Sequence, residues 1–79
     1  MKHLLRRRLR REPKLEFGRH IATLRRAKGM SQEALALESG LARSYLGGVE
    51  RGQRNISLIN ICRLAVALQV RPSKLLETL

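Results

Sequence analysis

The residues of this chain that could do chemistry are mostly cationic. Seventeen Lys and Arg stand against six Asp and Glu in 79 residues, a formal charge of +11. Such an excess implies a polyanionic partner: nucleic acid first, an acidic membrane surface second. Catalytic groupings are absent, with no activated serine, paired carboxylates or phosphate-binding loop in the pattern. His3 and His20 lack a Cys or carboxylate at ligand spacing, so no metal site is expected. Cys62 is the only cysteine, which excludes an internal disulfide and a cysteine-based zinc site. The chain reads as a binding protein rather than an enzyme, with no cofactor. Its most informative cluster is RSYLGGVERGQRN, residues 43–55, where Arg43 and Ser44 precede the pair Gly47 and Gly48 and Arg54 and Asn55 follow. Each glycine in a helix interior costs roughly 1 kcal/mol relative to alanine, so the pair requires an explanation.

The elements that must hold this cluster are helical. Hydrophobic residues make up 43% of the chain and aromatics 3%, so the core is one of Leu, Ile, Val and Ala, and packed helices are favoured over strands. Residues 1–13, MKHLLRRRLRREP, form a basic arm, with seven basic residues against one acidic counted through Lys14. The arm is a weakly ordered segment, a short helix with Leu4, Leu5 and Leu9 on one side, or residues ahead of the true start. Pro13 closes it, and residues 14–79 form one domain.

Within that domain Phe17, Ile21, Leu24 and Arg25 give a first helix one buried side, ending at Gly29. Ser31 caps a second helix, Gly40 turns the chain, and a third helix covers Ala42–Arg51. Ser57 caps a fourth helix whose buried face holds Leu58, Ile61, Cys62, Leu64, Ala65 and Leu68, with Cys62 as core filler. Pro72 starts a fifth. The expected fold is all-α with five helices.

SQEALALESGLARSYLGGVERG has the form of a helix-turn-helix. Small Ala36 lets two helices cross, Gly40 turns, and Leu46 and Val49 anchor the second helix. Arg43, Ser44, Gly47 and Gly48 are then left on the outer face. The stretch from Phe17 to Leu76 (IATLRRAKGMSQEALA, ESGLARSYLGGVERGQRNISL, ICRLAVALQVRPSKLL) resembles the lambda-repressor-like, or Xre/Cro, family of regulators. Within that family it is most similar to small stand-alone members such as controller proteins of restriction–modification systems.

The resemblance implies a role for each matching position. Gln32 would bond a DNA phosphate, and Arg43 and Ser44 would read base edges. An arginine there can bond guanine O6 and N7 together, worth about 1–3 kcal/mol of discrimination. Tyr45 would offer its hydroxyl to a phosphate, and Arg54 and Asn55 would meet the backbone or neighbouring bases. Arg25 and Glu50 would form a structural ion pair. Gly47 and Gly48 would clear space for the helix backbone to approach the groove, or Gly48 would pack against another helix.

The expected function is a sequence-specific, double-stranded DNA-binding transcription regulator. One such helix covers only a few base pairs, so a homodimer on an inverted repeat follows, with Val70, Leu75, Leu76 and Leu79 as its interface. The competing reading is an antitoxin-like protein-interaction module that binds DNA secondarily. A third would lay the basic arm on an acidic membrane. No apolar run approaches a membrane span and no secretory signal pattern occurs, so a cytoplasmic location is expected. The length leaves no evident domain for a small-molecule effector.

Overall fold

The computed structural model describes residues 12–79, so the basic arm, with His3 and its leucines, falls outside the described residues except for Glu12 and Pro13. Five helices follow one another: α1 (Pro13–Ala27), α2 (Gln32–Ser39), α3 (Arg43–Glu50), α4 (Leu58–Leu68) and α5 (Pro72–Leu76). No strand occurs among the described residues.

The helix boundaries have local causes. The Glu12 carboxylate accepts from the Lys14 amide and Pro13 occupies the first turn of α1, where its missing N–H costs nothing. Ser31 Oγ accepts from the Ala34 amide at 3.0 Å to start α2, and Ser57 Oγ accepts from the Asn60 amide at 3.2 Å to start α4. Gly40 takes φ 73°, ψ 18° between α2 and α3, a left-handed geometry that side chains resist. Helix α3 is one residue shorter at each end than expected, because Ala42 and Arg51 serve as its caps.

The core is aliphatic apart from Phe17. Ile21, Leu35, Leu46, Leu64, Leu68 and Leu75 are fully buried, each from a different turn of the five helices. Helix α1 packs on α3 and α5, α2 on α3 and α4, and α4 on α5. The α1–α3 crossing is close because Gly18 lies against the α3 C-terminus. A Cβ at Gly18 would overlap the Val49 carbonyl oxygen and lie 2.7 Å from that of Glu50. His20 fastens α1 to α5, its Nε2 donating to the Lys74 carbonyl at 2.8 Å.

Three expectations about burial are corrected. Helix α4 carries an apolar arc too wide for the core to cover. Ile61, Leu64, Ala65 and Leu68 face inward, at i, i+3, i+4 and i+7. Leu58 and Cys62 belong to the other half of the arc and are exposed, so Cys62 is not core filler. Leu75, expected at a dimer interface, is 0% exposed within the single chain because α5 folds back over α1 and α4.

Candidate nucleic-acid interface

Helix α3 is fixed to the body by Leu46 and Val49, both buried, and by a polar lock at its last residue. Glu50 receives Arg25 Nε at 2.8 Å on one carboxylate oxygen and Arg25 Nη2 at 3.0 Å on the other. The third arm of the fork, Nη1, donates to the Met30 carbonyl at 2.9 Å. Both side chains are buried, and the Arg25 pKa is raised above its ordinary value, first by the hydrogen bonds to Glu50. Gln32, the first residue of α2, joins the lock by donating its amide to Glu50 at 2.9 Å. The side chain expected to bond a phosphate is thus held from behind by the carboxylate that anchors α3.

At the opposite end of α3 the N-terminus is open. Arg43 and Ser44 are exposed, and Ala42 provides no side-chain cap. Arg43 Nε lies 3.8 Å from the Glu33 carboxylate, with both side chains mostly in solvent. A pair of this kind is worth about 0–1 kcal/mol and yields readily to a stronger partner. Tyr45 is half-buried against the core, and its hydroxyl accepts from Asn60 Nδ2 at 3.3 Å, leaving the hydroxyl proton for another acceptor. The Arg54 guanidinium lies over the Tyr45 ring, 5.7 Å from its centre, within cation–π range. Asn55 is exposed beside it.

Gly47 and Gly48 are not open clearance. Both are buried, and what covers them is surface side chain rather than another helix. A Cβ on Gly47 would lie 3.0 Å from Arg51 Nη1 and 3.7 Å from Gln32 Oε1. A Cβ on Gly48 would lie 3.1 Å from Arg54 Cγ. The glycines are shelves on which two arginines lie flat. The helix-to-helix contact considered for Gly48 falls on Gly18 instead. The Gly47→Ala variant is expected to gain up to about 1 kcal/mol in chemical unfolding, since only the flexible end of Arg51 must shift. An unchanged or lowered stability would mean that the end of Arg51 cannot move aside.

Arg51, expected only as the end of the third helix, also borders this face. Arg43, Gly47 and Arg51 recur every fourth residue, one strip of a helix, and that spacing was the available signal. Arg51 Nε donates to Gln53 Oε1 at 3.1 Å, which keeps the side chain over Gly47.

The apolar surface lies elsewhere than expected. Val70 is half-buried against the core, while Leu76 and Leu79 are 39% and 37% exposed and border a shallow groove with Pro13, Lys14 and Phe17. Apart from Leu37 of α2, which is 83% exposed, the most exposed large apolar residues are Leu58 at 72%, Ile59 at 67% and Val66 at 77%. With Cys62 they line an apolar hollow of about 450 Å³, edged by Glu38 and Arg63.

Among the described residues no group of His, Cys, Asp and Glu could hold a metal ion, and no helix is long and apolar enough to cross a membrane.

The helix-turn-helix family matches residues 21–75. The control protein C.BamHI of Bacillus amyloliquefaciens is 46% identical over 65 residues, covering 81% of this chain and 80% of its own length. The crystal structure of the restriction–modification controller protein C.AhdI from Aeromonas hydrophila matches with a TM-score of 0.78 at 60% identity, over 78% of this chain and 94% of that one. The controller protein C.Esp1396I, solved as a tetramer in complex with its natural 35-base-pair operator, matches with a TM-score of 0.74 at 33% identity, over 81% and 84%.

Proposed function

Because the chain belongs to the helix-turn-helix family, we propose that it is a sequence-specific transcription regulator that binds double-stranded DNA as a homodimer on an inverted repeat. The observation that carries this reading is the open N-terminus of α3. Arg43 and Ser44 project from a helix locked in place by Leu46, Val49 and Glu50, with Gln32 and Arg51 at its other end and Arg54 over the Tyr45 ring between. Rigid placement is what base reading requires, because a bidentate contact tolerates little displacement. Tyr45 and Asn55 complete the rim toward the backbone. Operator binding by the C.Esp1396I tetramer supports the same use of the fold here. The reading places the protein in the cytoplasm with the DNA and needs neither an effector nor a catalytic group.

A second copy is proposed to cover the outer half of α4. Leu58, Ile59, Cys62 and Val66 form one apolar face, which a two-fold axis would pair with its own copy. This replaces the interface of Val70, Leu75, Leu76 and Leu79.

Selection of bound duplexes from a random pool tests the function. The expected product is an inverted repeat with half-sites about 34–36 Å apart or a multiple of that. Enrichment of no sequence, or of one asymmetric site, would overturn it. Residues 1–11 are proposed to add attraction to phosphates without reading sequence. Deleting them is expected to weaken operator and unrelated DNA alike, as followed by fluorescence anisotropy.

A further inference from the structure

Beside the reading helix lies a polar cleft of about 410 Å³. One wall is a strip of α1, Arg19, Thr23 and Arg26 at i, i+4 and i+7; the other is Gln32 at the start of α2 and Arg51 at the end of α3. Three guanidinium groups therefore border one hollow. Arg19 and Arg26 are exposed, and neither side chain has an ion-pair partner among the described residues. The acid on the floor, Glu50, is neutralised from below by Arg25, so the walls set the sign of the site. Thr23 gives its hydroxyl proton to the Arg19 carbonyl at 3.0 Å, so it shapes the cleft and supplies no donor. Donors come from the three arginines and from the second amide hydrogen of Gln32, whose first is spent on Glu50.

We propose that this cleft is a phosphate-binding site, and that the DNA backbone flanking the groove entered by α3 supplies the phosphate. The inference rests on the DNA-binding reading and extends it from the helix-turn-helix onto α1. Gln32 and Arg51 both reach Gly47, so the cleft is continuous with the face of α3. The major groove is about 12 Å wide, which brings its bordering strand beside any helix seated within it. Guanidinium forks match phosphate oxygens in pairs. The arginines of α1 thereby fix the docking angle without reading sequence.

The test compares operator binding by the full-length protein and its Arg19→Gln/Arg26→Gln variant over a range of salt concentrations. Each phosphate contact contributes about 0.9 to the slope of log K against log salt. The variant is expected to lower the slope by roughly 1 to 2, select the same sequence and melt at the wild-type temperature. The Arg71→Gln/Lys74→Gln variant removes the same charge from the α5 side and is expected to keep nearly the full slope. An unchanged slope in the first variant, or an equal fall in both, overturns the site. A separate titration with inorganic pyrophosphate identifies the source. Saturable binding at the cleft with the operator slope unaffected by Arg19→Gln/Arg26→Gln would make it a site for a small phosphorylated ligand and overturn the backbone assignment. Failure of the wild-type protein to select any DNA sequence would defeat the underlying reading instead, before any variant is compared.

Discussion

Replacing Glu50 with alanine is expected to cost the fold about 3–5 kcal/mol, measured as the shift in urea unfolding at neutral pH. Arg25 is 8% exposed and spends two of its three hydrogen-bonding arms on Glu50. Without the carboxylate a guanidinium stays charged in a site that water barely reaches, with only the Met30 carbonyl left to it. Desolvating an unpartnered charge is far more costly than losing the attraction of an exposed pair. A chain of this size commands a total of about 4–12 kcal/mol, at roughly 0.05–0.15 kcal/mol per residue. The variant therefore sits near the unfolding threshold or beyond it. Glu50→Gln keeps an acceptor oxygen for Arg25 and is expected to fall between wild type and alanine. A loss below about 1 kcal/mol for alanine would show that Arg25 escapes to solvent and that the lock is dispensable. Gln32 loses its anchor as well, so any folded Glu50→Gln protein is expected to bind DNA less tightly at unchanged sequence preference.

The Val66→Glu variant is expected to leave the monomer intact and lower operator affinity by at least about a hundredfold. Val66 is exposed in the single chain, so a carboxylate there meets water until a second copy approaches. At a two-fold interface each substitution appears twice on the same surface, and the two carboxylates must lose water and face an apolar wall. Once dimerisation fails, the second half-site no longer binds as a tethered event, and the gain from linking two sites is of order 10² to 10⁴. Sedimentation at micromolar concentration reads the oligomeric state, and circular dichroism reads the fold. Leu79→Glu, on the other apolar margin, is expected to retain the dimer. The opposite ranking of the two variants would return the interface to the C-terminal leucines.

What was legible in the sequence was mostly local. Ser31 and Ser57 act on amides three residues ahead, Gly40 on its own φ, and Pro72 on its own turn. The approach of Arg25 to Glu50 spans 25 residues, and it came from resemblance rather than from any local pattern. The α4 arc shows what local pattern cannot supply. Leu58 and Ile61 are equally apolar, and which becomes core depends on where α2 and α5 dock. Gly18 was invisible for the same reason, since its cause is the carbonyl of a residue on another helix. Leu75 belongs to the core for a reason equally remote in sequence, since what covers it comes from α4 and α1. The exposure of Arg43 and Ser44 at the start of α3 was readable, but the covering of Gly47 by Arg51 required the folded chain.

The glycine shelves have a consequence for the kind of operator this protein can use. Across the second turn of α3 neither Gly47 nor Gly48 has a side chain to offer a base, so on the proposed reading direct contacts from α3 would fall to its opening residues. The arginines resting on the shelves and the proposed phosphate cleft beside them would hold the backbone instead. Discrimination beyond a few base pairs would then draw on the mechanics of the duplex, on how readily a given sequence bends, kinks or narrows its minor groove to meet those grips. Sites with identical contacted bases would rank by the stiffness of the steps between them. Graded occupancy across several operators could thus be set by untouched base pairs, with no change in the protein.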